Sequence, residues 1–228
     1  MIKARFVFAA TLAVTTSMGL SGSYPANAQS VTEARSVLED IERWLPGSFD
    51  NESQILMEAT LGSGADGIHE WYHIEISKIA NGDNGSLRFR SMMKDRANPS
   101  APIEHAVFAF RVDEEMGLVR MDRYRVPLED VDNGRLRDRA IKTDKELLDV
   151  QCPVFWQPGP GYVYAAMQGV WCEMSLGEFG GGGTIIVRGD YHLTADEFWM
   201  LSATRDSNTN VLTRGRADDI PLRLKKVK

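Results

Sequence analysis

The stretch IHEWYHIEISKIANGDNGSLRFRSMMK, residues 68–94, decides the fold. Ile68 to Ile79 alternates aromatic or aliphatic residues with polar ones, the two-residue period of a strand. Asn81-Gly82-Asp83-Asn84-Gly85 is a strong hairpin signal, and Leu87 to Lys94 returns with the same period. Working outward, Ala97-Asn98-Pro99-Ser100 turns the chain again, Ile103 to Val112 reads as a strand, Asp113 to Gly117 is a tight connection, and Leu118 to Val126 follows. Strands joined by such short turns predict an antiparallel meander rather than βαβ units.

The same grammar holds on both sides. CPVFWQPGPGYVYAAMQGVWC, residues 152–172, gives two aromatic strands around Gly- and Pro-rich turns, with the two cysteines of the chain at its ends. Thr184 to Leu193, Phe198 to Ala203 and Pro221 to Val227 are further strands, and Ser53 to Thr60 is read as an early one. Gly180 to Gly183 reads as a hairpin tip, because no Gly-Lys-Ser/Thr ending follows it. The charged segment from Leu128 to Val150 reads as a solvated surface. One helix is predicted, Ser30 to Leu45. Ser30 and Glu33 have capping-box spacing, Ala34, Val37, Leu38, Ile41, Trp44 and Leu45 share a face, and Pro46-Gly47 stops it. Nine or ten antiparallel strands in one domain leave two solutions, a sandwich or a closed barrel, and a barrel can hold a small ligand.

Residues 1–28 read as a secretory signal peptide: Lys3 and Arg5 precede an apolar run, and Pro25-Ala26-Asn27-Ala28 supplies an Ala-x-Ala cleavage pattern. This makes residues 29–228 a single domain exported to the periplasm or beyond. In an oxidising compartment a disulfide between Cys152 and Cys172 is the expectation, against a reactive thiol pair. The formal net charge of −6 argues against nucleic acid as a partner, and no later stretch approaches the roughly 18 apolar residues of a membrane span. His69, His73, His105 and His192 are dispersed, and i, i+4 spacing of the first two on a strand does not predict a metal site.

Strand period groups the polar residues by face. Trp71, His73 and Glu75 share one, Arg88, Arg90 and Met92 another, and Glu104, Phe108 and Phe110 a third, while Arg120, Asp122 and Tyr124 alternate with Val119, Met121 and Arg123. Two readings stay open: solvated faces, or the lining of a polar, aromatic cavity. Under the second, His73, Arg88, Arg90 and Glu104 are the candidates. Arginine clamps carboxylates, and histidine or glutamate can hold or move a proton at a nitrogen heterocycle.

Several of these positions resemble the T-type phycobiliprotein lyases, the CpcT/CpeT chromophore lyase family. Gly47-Ser48-Phe49-Asp50-Asn51-Glu52-Ser53-Gln54 resembles its Gly-x-Phe-x-Asn-x-x-Gln signature. His73-Ile74, Arg88-Phe89-Arg90, Ile103-Glu104, the Cys152 and Cys172 pair with Trp156 between them, Arg205-Asp206 and Arg214-Gly215 resemble later markers in the same order. Leu87 stands where the family has tyrosine, and Ser202 where it has an acidic residue. The resemblance implies a calycin/lipocalin-like antiparallel β-barrel with one N-terminal α-helix. It also implies a bilin-type open-chain tetrapyrrole as substrate or ligand, with no covalently bound cofactor, and an acceptor protein whose cysteine receives it. His73 and Glu104 would be catalytic; Arg88, Arg90, Trp71 and Asp206 would bind the ligand. The alternative is an exported lipocalin-like carrier of a hydrophobic or tetrapyrrole ligand.

Overall fold

The computed structural model describes residues 31–62, 67–82, 84–96, 102–126, 131–132, 135–136, 152–167, 172–175 and 183–227. The 1–28 leader lies outside the described residues, as do most of the charged 128–150 segment and Gly180 to Gly182 of the glycine run. In chain order the elements are α1 (Val31–Trp44), β1 (Gly47–Asp50), α2 (Glu52–Leu61), β2 (Tyr72–Lys78), β3 (Leu87–Asp95), β4 (Pro102–Asp113) and β5 (Leu118–Arg125). Next come two short strands that pair only with each other, β6 (Val131–Asp132) and β7 (Arg135–Leu136). They are followed by β8 (Val154–Gly159), β9 (Tyr162–Met167), β10 (Cys172–Ser175), β11 (Thr184–Leu193), β12 (Glu197–Asp206), β13 (Leu212–Arg214) and β14 (Leu222–Val227).

Ten antiparallel strands close into a barrel in the order β11-β9-β8-β5-β4-β3-β2-β1-β14-β12, with β12 returning to β11. The closing ladder runs from Ile185 opposite Asp206 to Leu193 opposite Phe198. The N- and C-terminal ends of the barrel sequence meet at β1, which pairs β2 on one side and β14 on the other. This settles the choice between sandwich and barrel. β11 and β12 are the longest partners of that closure, and outside the ring they take on β10 and β13 as flanking strands.

Inward residues follow the two-residue period. Phe49, Ile74, Phe89, Phe110, Trp156, Leu193, Phe198 and Leu224 are all within 1 % of complete burial. Their rings meet edge-on or stacked, Phe89 to Phe110 at 5.7 Å, Phe110 to Trp156 at 6.0 Å and Trp156 to Tyr191 at 5.9 Å. α1 lays Ala34, Val37 and Ile41, with Leu45, onto this cluster against β4, β5, β8 and β9 and closes one end of the barrel. Lys226 of β14 donates to the Trp44 carbonyl at 2.7 Å, satisfying an orphan acceptor at the C-terminus of α1.

Residues 52–61 correct the sequence reading. The expected strand over Ser53 to Thr60 is the helix α2. Its buried face is polar, Gln54 and Glu58, whereas Leu56, Met57 and Leu61 are exposed. Helical period in the apolar residues is therefore absent, and the signal by which a helix is recognised fails. Asp50 Oδ1 accepts from the Glu52 amide, and Ile55 N–H bonds the Asn51 carbonyl, so the first turn forms locally.

The signature residues that carried the family resemblance are joints. Phe49 fills the core. Asn51, fully buried, donates to the Glu70 carbonyl and accepts from the Tyr72 amide, both at 2.8 Å, and so pins the entry to β2. Gln54 donates to the Pro221 carbonyl at 3.0 Å and accepts from the Arg223 amide at 2.8 Å.

The disulfide is present: Cys152 and Cys172, 5.8 Å apart at Cα, tie the entry to β8 to the start of β10. Replacing both cysteines by alanine is expected to cost about 3 kcal/mol of unfolding free energy for a loop of this length. Urea unfolding of the double variant against the wild type measures it, and the wild type should show no titratable thiol.

A second prediction concerns pH. His105 and His192 lie below the ordinary 6.5, burial being the first cause in both, and Arg90 and Lys94 depress His105 further. Both rings are neutral in the folded state, whereas the unfolded chain takes up the protons near 6.5. The unfolded state then binds more protons, so stability is complete above that pH and is lost as pH falls toward the folded values. Urea midpoints should decline between about pH 7.5 and 5.5, and His105→Phe should flatten that decline.

Candidate functional site

The inward residues do not fill the barrel. At the end opposite α1 they leave a cavity of about 550 Å³. Its wall is apolar where Ile74, Met93, Phe108, Met200 and Leu222 face it. A charged cluster interrupts that wall. Glu104 of β4 is 8 % exposed and accepts from two arginines: Arg123 of β5 at Oε1, and Arg214 of β13 at Oε2 over 3.3 Å. Arg123 also meets the Tyr191 hydroxyl.

Arg123 lies deep in the protein, yet 38 % of its side chain is accessible. The two facts are compatible because the accessible part faces the cavity. Burial works against its charge, but Tyr191 and Glu104 outweigh that and hold the guanidinium above its ordinary pKa. Burial pushes the Tyr191 hydroxyl up, with Arg123 pulling the other way. A guanidinium offers five N–H donors, and Glu104 and Tyr191 engage only some of them. The cavity therefore presents a guanidinium and, beside it, a carboxylate.

Polar residues complete the lining from two stretches of chain, one leading into β2 and one leaving β13. His69, Glu70 and Tyr72 lie on one side, and Arg214, Gly215 and Arg216 on the other. The Tyr72 hydroxyl donates to the Glu70 carboxylate and its pKa is raised, first by burial and then by that bond. Arg216 holds Asp218, whose carboxyl lies below its ordinary value for that reason. His69 accepts no water-facing role: its Nδ1 meets Glu58 at 2.6 Å and its Nε2 lies 3.3 Å from the Ile220 carbonyl.

The residues singled out in the sequence divide between the two faces of the sheet. Glu104 lines the cavity. His73 alternates with the inward Tyr72 and Ile74, faces outward and lies 3.7 Å from Glu75. Arg88 and Arg90 alternate with Phe89 and face outward. Arg88 is nevertheless 3 % exposed and packs so closely on Gly82 that a side chain there would strike the guanidinium. Trp71 precedes β2 outside the cavity, its ring covered by Arg96 at 4.0 Å. Asp206 anchors the turn after β12, accepting from the amides of Asn208 and Thr209 and from the Thr209 hydroxyl. The structure therefore does not bring these residues together with Glu104.

Arg123 and Tyr191 were not among the candidate site residues, and Arg214 stood only as a marker of the family resemblance. Arg123 was legible in principle: it shares a face with Val119 and Met121, and a charge in an apolar row is a recognisable anomaly. Arg214 was not, since β13 is three residues long and its reach to Glu104 is a tertiary event.

A closed antiparallel barrel, stopped at one end by an N-terminal helix and open to a cavity at the other, is a calycin-like fold. No family model matches the chain, and no curated protein matches it in sequence. Among solved structures it is similar to the CRL protein of Arabidopsis, with 12 % identity and a TM-score of 0.63 over 87 % of this chain and 100 % of that one. It is also similar to the T-type phycobiliprotein lyase CpeT from Prochlorococcus phage P-HM1, with 12 % identity and a TM-score of 0.44 over 85 % of this chain and 99 % of that one. At these identities the shared property is the fold. No helix among the described residues is long and apolar enough to cross a membrane.

Glu104→Gln should lower stability by about 2 kcal/mol, because it leaves a deeply placed guanidinium without its countercharge. Arg214→Gln should cost under about 1 kcal/mol, since that side chain is 63 % exposed. Urea unfolding of the two variants measures the difference; equal costs would show that Arg123 does not depend on Glu104.

Proposed function

We propose that the cavity binds an elongated, mostly apolar ligand that carries acidic groups and N–H donors, a bilin-type open-chain tetrapyrrole. One observation supports this reading above the others: a carboxylate flanked by guanidinium groups inside an otherwise apolar barrel cavity. Apolar rings would lie against Phe108, Met93 and Met200. An acidic side arm would take the cavity-facing donors of Arg123 or displace Glu104 from Arg214. Glu104 would accept from the pyrrole N–H groups and serve as the group that holds a proton there. The volume falls within the range of small-molecule sites.

The lyase reading adds one step, carried by the motif resemblance. An acceptor protein's cysteine thiol adds across a side-chain double bond of the bilin: a C–S bond forms, the C=C bond becomes single, and the thiol proton ends on the neighbouring carbon. No oxidant is consumed. Glu104 would relay that proton, and the barrel wall would exclude water. The carrier reading needs only the binding step and is supported by the leader in the sequence, which would export the chain with its ligand.

Titration of the purified protein with biliverdin, followed by visible absorbance, tests the binding step. A red-shifted, saturable spectrum is expected. Arg123→Met and Glu104→Gln should each weaken binding about ten- to hundredfold, the loss of a hydrogen bond to a charged group. His73→Ala, on the outward face, should leave it within about twofold. No spectral change, or equal losses in all three variants, would refute the cavity as the ligand site. Incubation with a cysteine-bearing phycobiliprotein subunit then separates the readings: covalent colour on the acceptor means a lyase, and retention on the barrel means a carrier.

A further inference from the structure

The β2–β3 hairpin carries the Asn-Gly dipeptide twice, at Asn81-Gly82 and at Asn84-Gly85. In Asn-Gly the next backbone nitrogen can attack the side-chain amide with little hindrance, because glycine has no Cβ. The attack has further needs. The nitrogen must give up its proton to solvent hydroxide, the side-chain carbon must lie over that nitrogen, and the charge that develops on the amide oxygen must be stabilised.

The fold treats the two copies differently. Asn81 is exposed, but Gly82 is buried. The Gly82 N–H donates to the Ser86 carbonyl at 2.9 Å, extending past the strand ends the pairing that Ile79 makes with the Arg88 carbonyl at 3.0 Å. The Gly82 backbone also lies tight against the Arg88 guanidinium and Ser86 Oγ. Hydroxide reaches that nitrogen only when the hairpin opens. Asn84 and Gly85 are both exposed. The Gly85 N–H donates across the turn to the Gly82 carbonyl at 2.8 Å, and that bond can break at the surface while the β2–β3 ladder stays paired. Asn84 Oδ1 accepts from the Ser86 amide at 3.0 Å. This bond folds the side chain back over the Gly85 peptide. It also sets a donor on the oxygen where negative charge would develop, as an oxyanion hole does.

We infer that Asn84 is a site of spontaneous covalent modification, deamidation through a succinimide, and that the fold protects Asn81 from it. The Gly85 nitrogen, its proton lost to hydroxide, bonds to Asn84 Cγ. The Cγ–Nδ2 bond breaks, and the expelled nitrogen takes a proton from water and leaves as ammonia. Water then opens the ring at either carbonyl. One opening leaves aspartate, the other isoaspartate, in which the main chain runs through the former side chain. No oxidant or reductant is needed. Either product adds a negative charge to the hairpin turn. Aspartate keeps the acceptor for the Ser86 amide, whereas isoaspartate adds one carbon to the backbone between Gly82 and Ser86 and works against their bond. The modification marks the age of the molecule and is independent of any ligand in the barrel.

Timed incubation of the full chain in mildly alkaline buffer, followed by trypsin digestion and tandem mass spectrometry, tests it. The peptide from Ile79 to Arg88 holds both copies, so each sample compares them directly. Asn133-Gly134 lies outside the described residues and falls on another tryptic peptide. In the folded protein Asn84 should convert about tenfold faster than Asn81, the factor for one more buried hydrogen bond to be opened. Isoaspartate should be among its products, and mildly acidic buffer should slow the reaction. In urea the two rates should converge, because both residues then precede an unrestrained glycine. Asn84→Gln, with a longer side chain, should abolish conversion at that position and leave the slow rate at Asn81 unchanged. Asn81 that keeps pace with Asn84 in the folded protein overturns the inference. So does Asn84 that stays intact while the urea-unfolded chain converts, and so does a preference for Asn84 that persists undiminished in urea, since local sequence and not the fold would then set it.

Discussion

Closure of the ring through the β11–β12 ladder is the constraint on which the rest of the structure depends. A closed barrel has no free edge and a fixed interior, so every inward side chain must fit a volume set by the strands around it. One half of that volume is filled by aromatic rings and by the apolar stripe of α1. The rest is a cavity lined by residues of the barrel strands together with Arg214, Gly215, Arg216 and Ile220.

Within that interior the Glu104–Arg123 pair is the costly feature. The carboxylate of Glu104 is largely withdrawn from water while the Arg123 side chain keeps 38 % of its surface accessible, so only one of the two charges is strongly desolvated. The presence of this pair, with Arg123 still open to the cavity and Arg214 reaching in from the rim, is the physical basis for assigning the cavity to a ligand. The cavity supplies shape, a cation and a carboxylate.

A second economy runs around the barrel's outside. The Gly-x-Phe-x-Asn-x-x-Gln run that drew attention to a lyase family contributes a core ring, a bracket on β2 and a clasp on β14, and its polar members bond backbone groups. Lys226 likewise joins the last strand to the first helix. Residues near the two ends of the domain are bonded together because β1 lies between β2 and β14. The resemblance therefore tracks the joints of a fold.

Strand period, turn chemistry and the α1 stripe were readable in the chain itself, and they determined the antiparallel all-β class, the opening helix and the face-sharing groups. Each depends on contacts within a few residues. Which face of β2 to β5 is the inside was decided only in the tertiary structure. Outward positions such as Arg88, His105, Val107 and Asp122 are buried as deeply as inward Phe89 and Phe108, so burial no longer distinguishes polar from apolar alternation. The same holds for α2, whose buried polar face makes sense only once Pro221, Ile220 and Arg223 are beside it. Glu104 was a candidate in the sequence on a face shared with two phenylalanines, and it lines the cavity. Its partners Arg123 and Arg214 come from another strand and from a position 110 residues away, and only closure of the barrel brings them to one carboxylate.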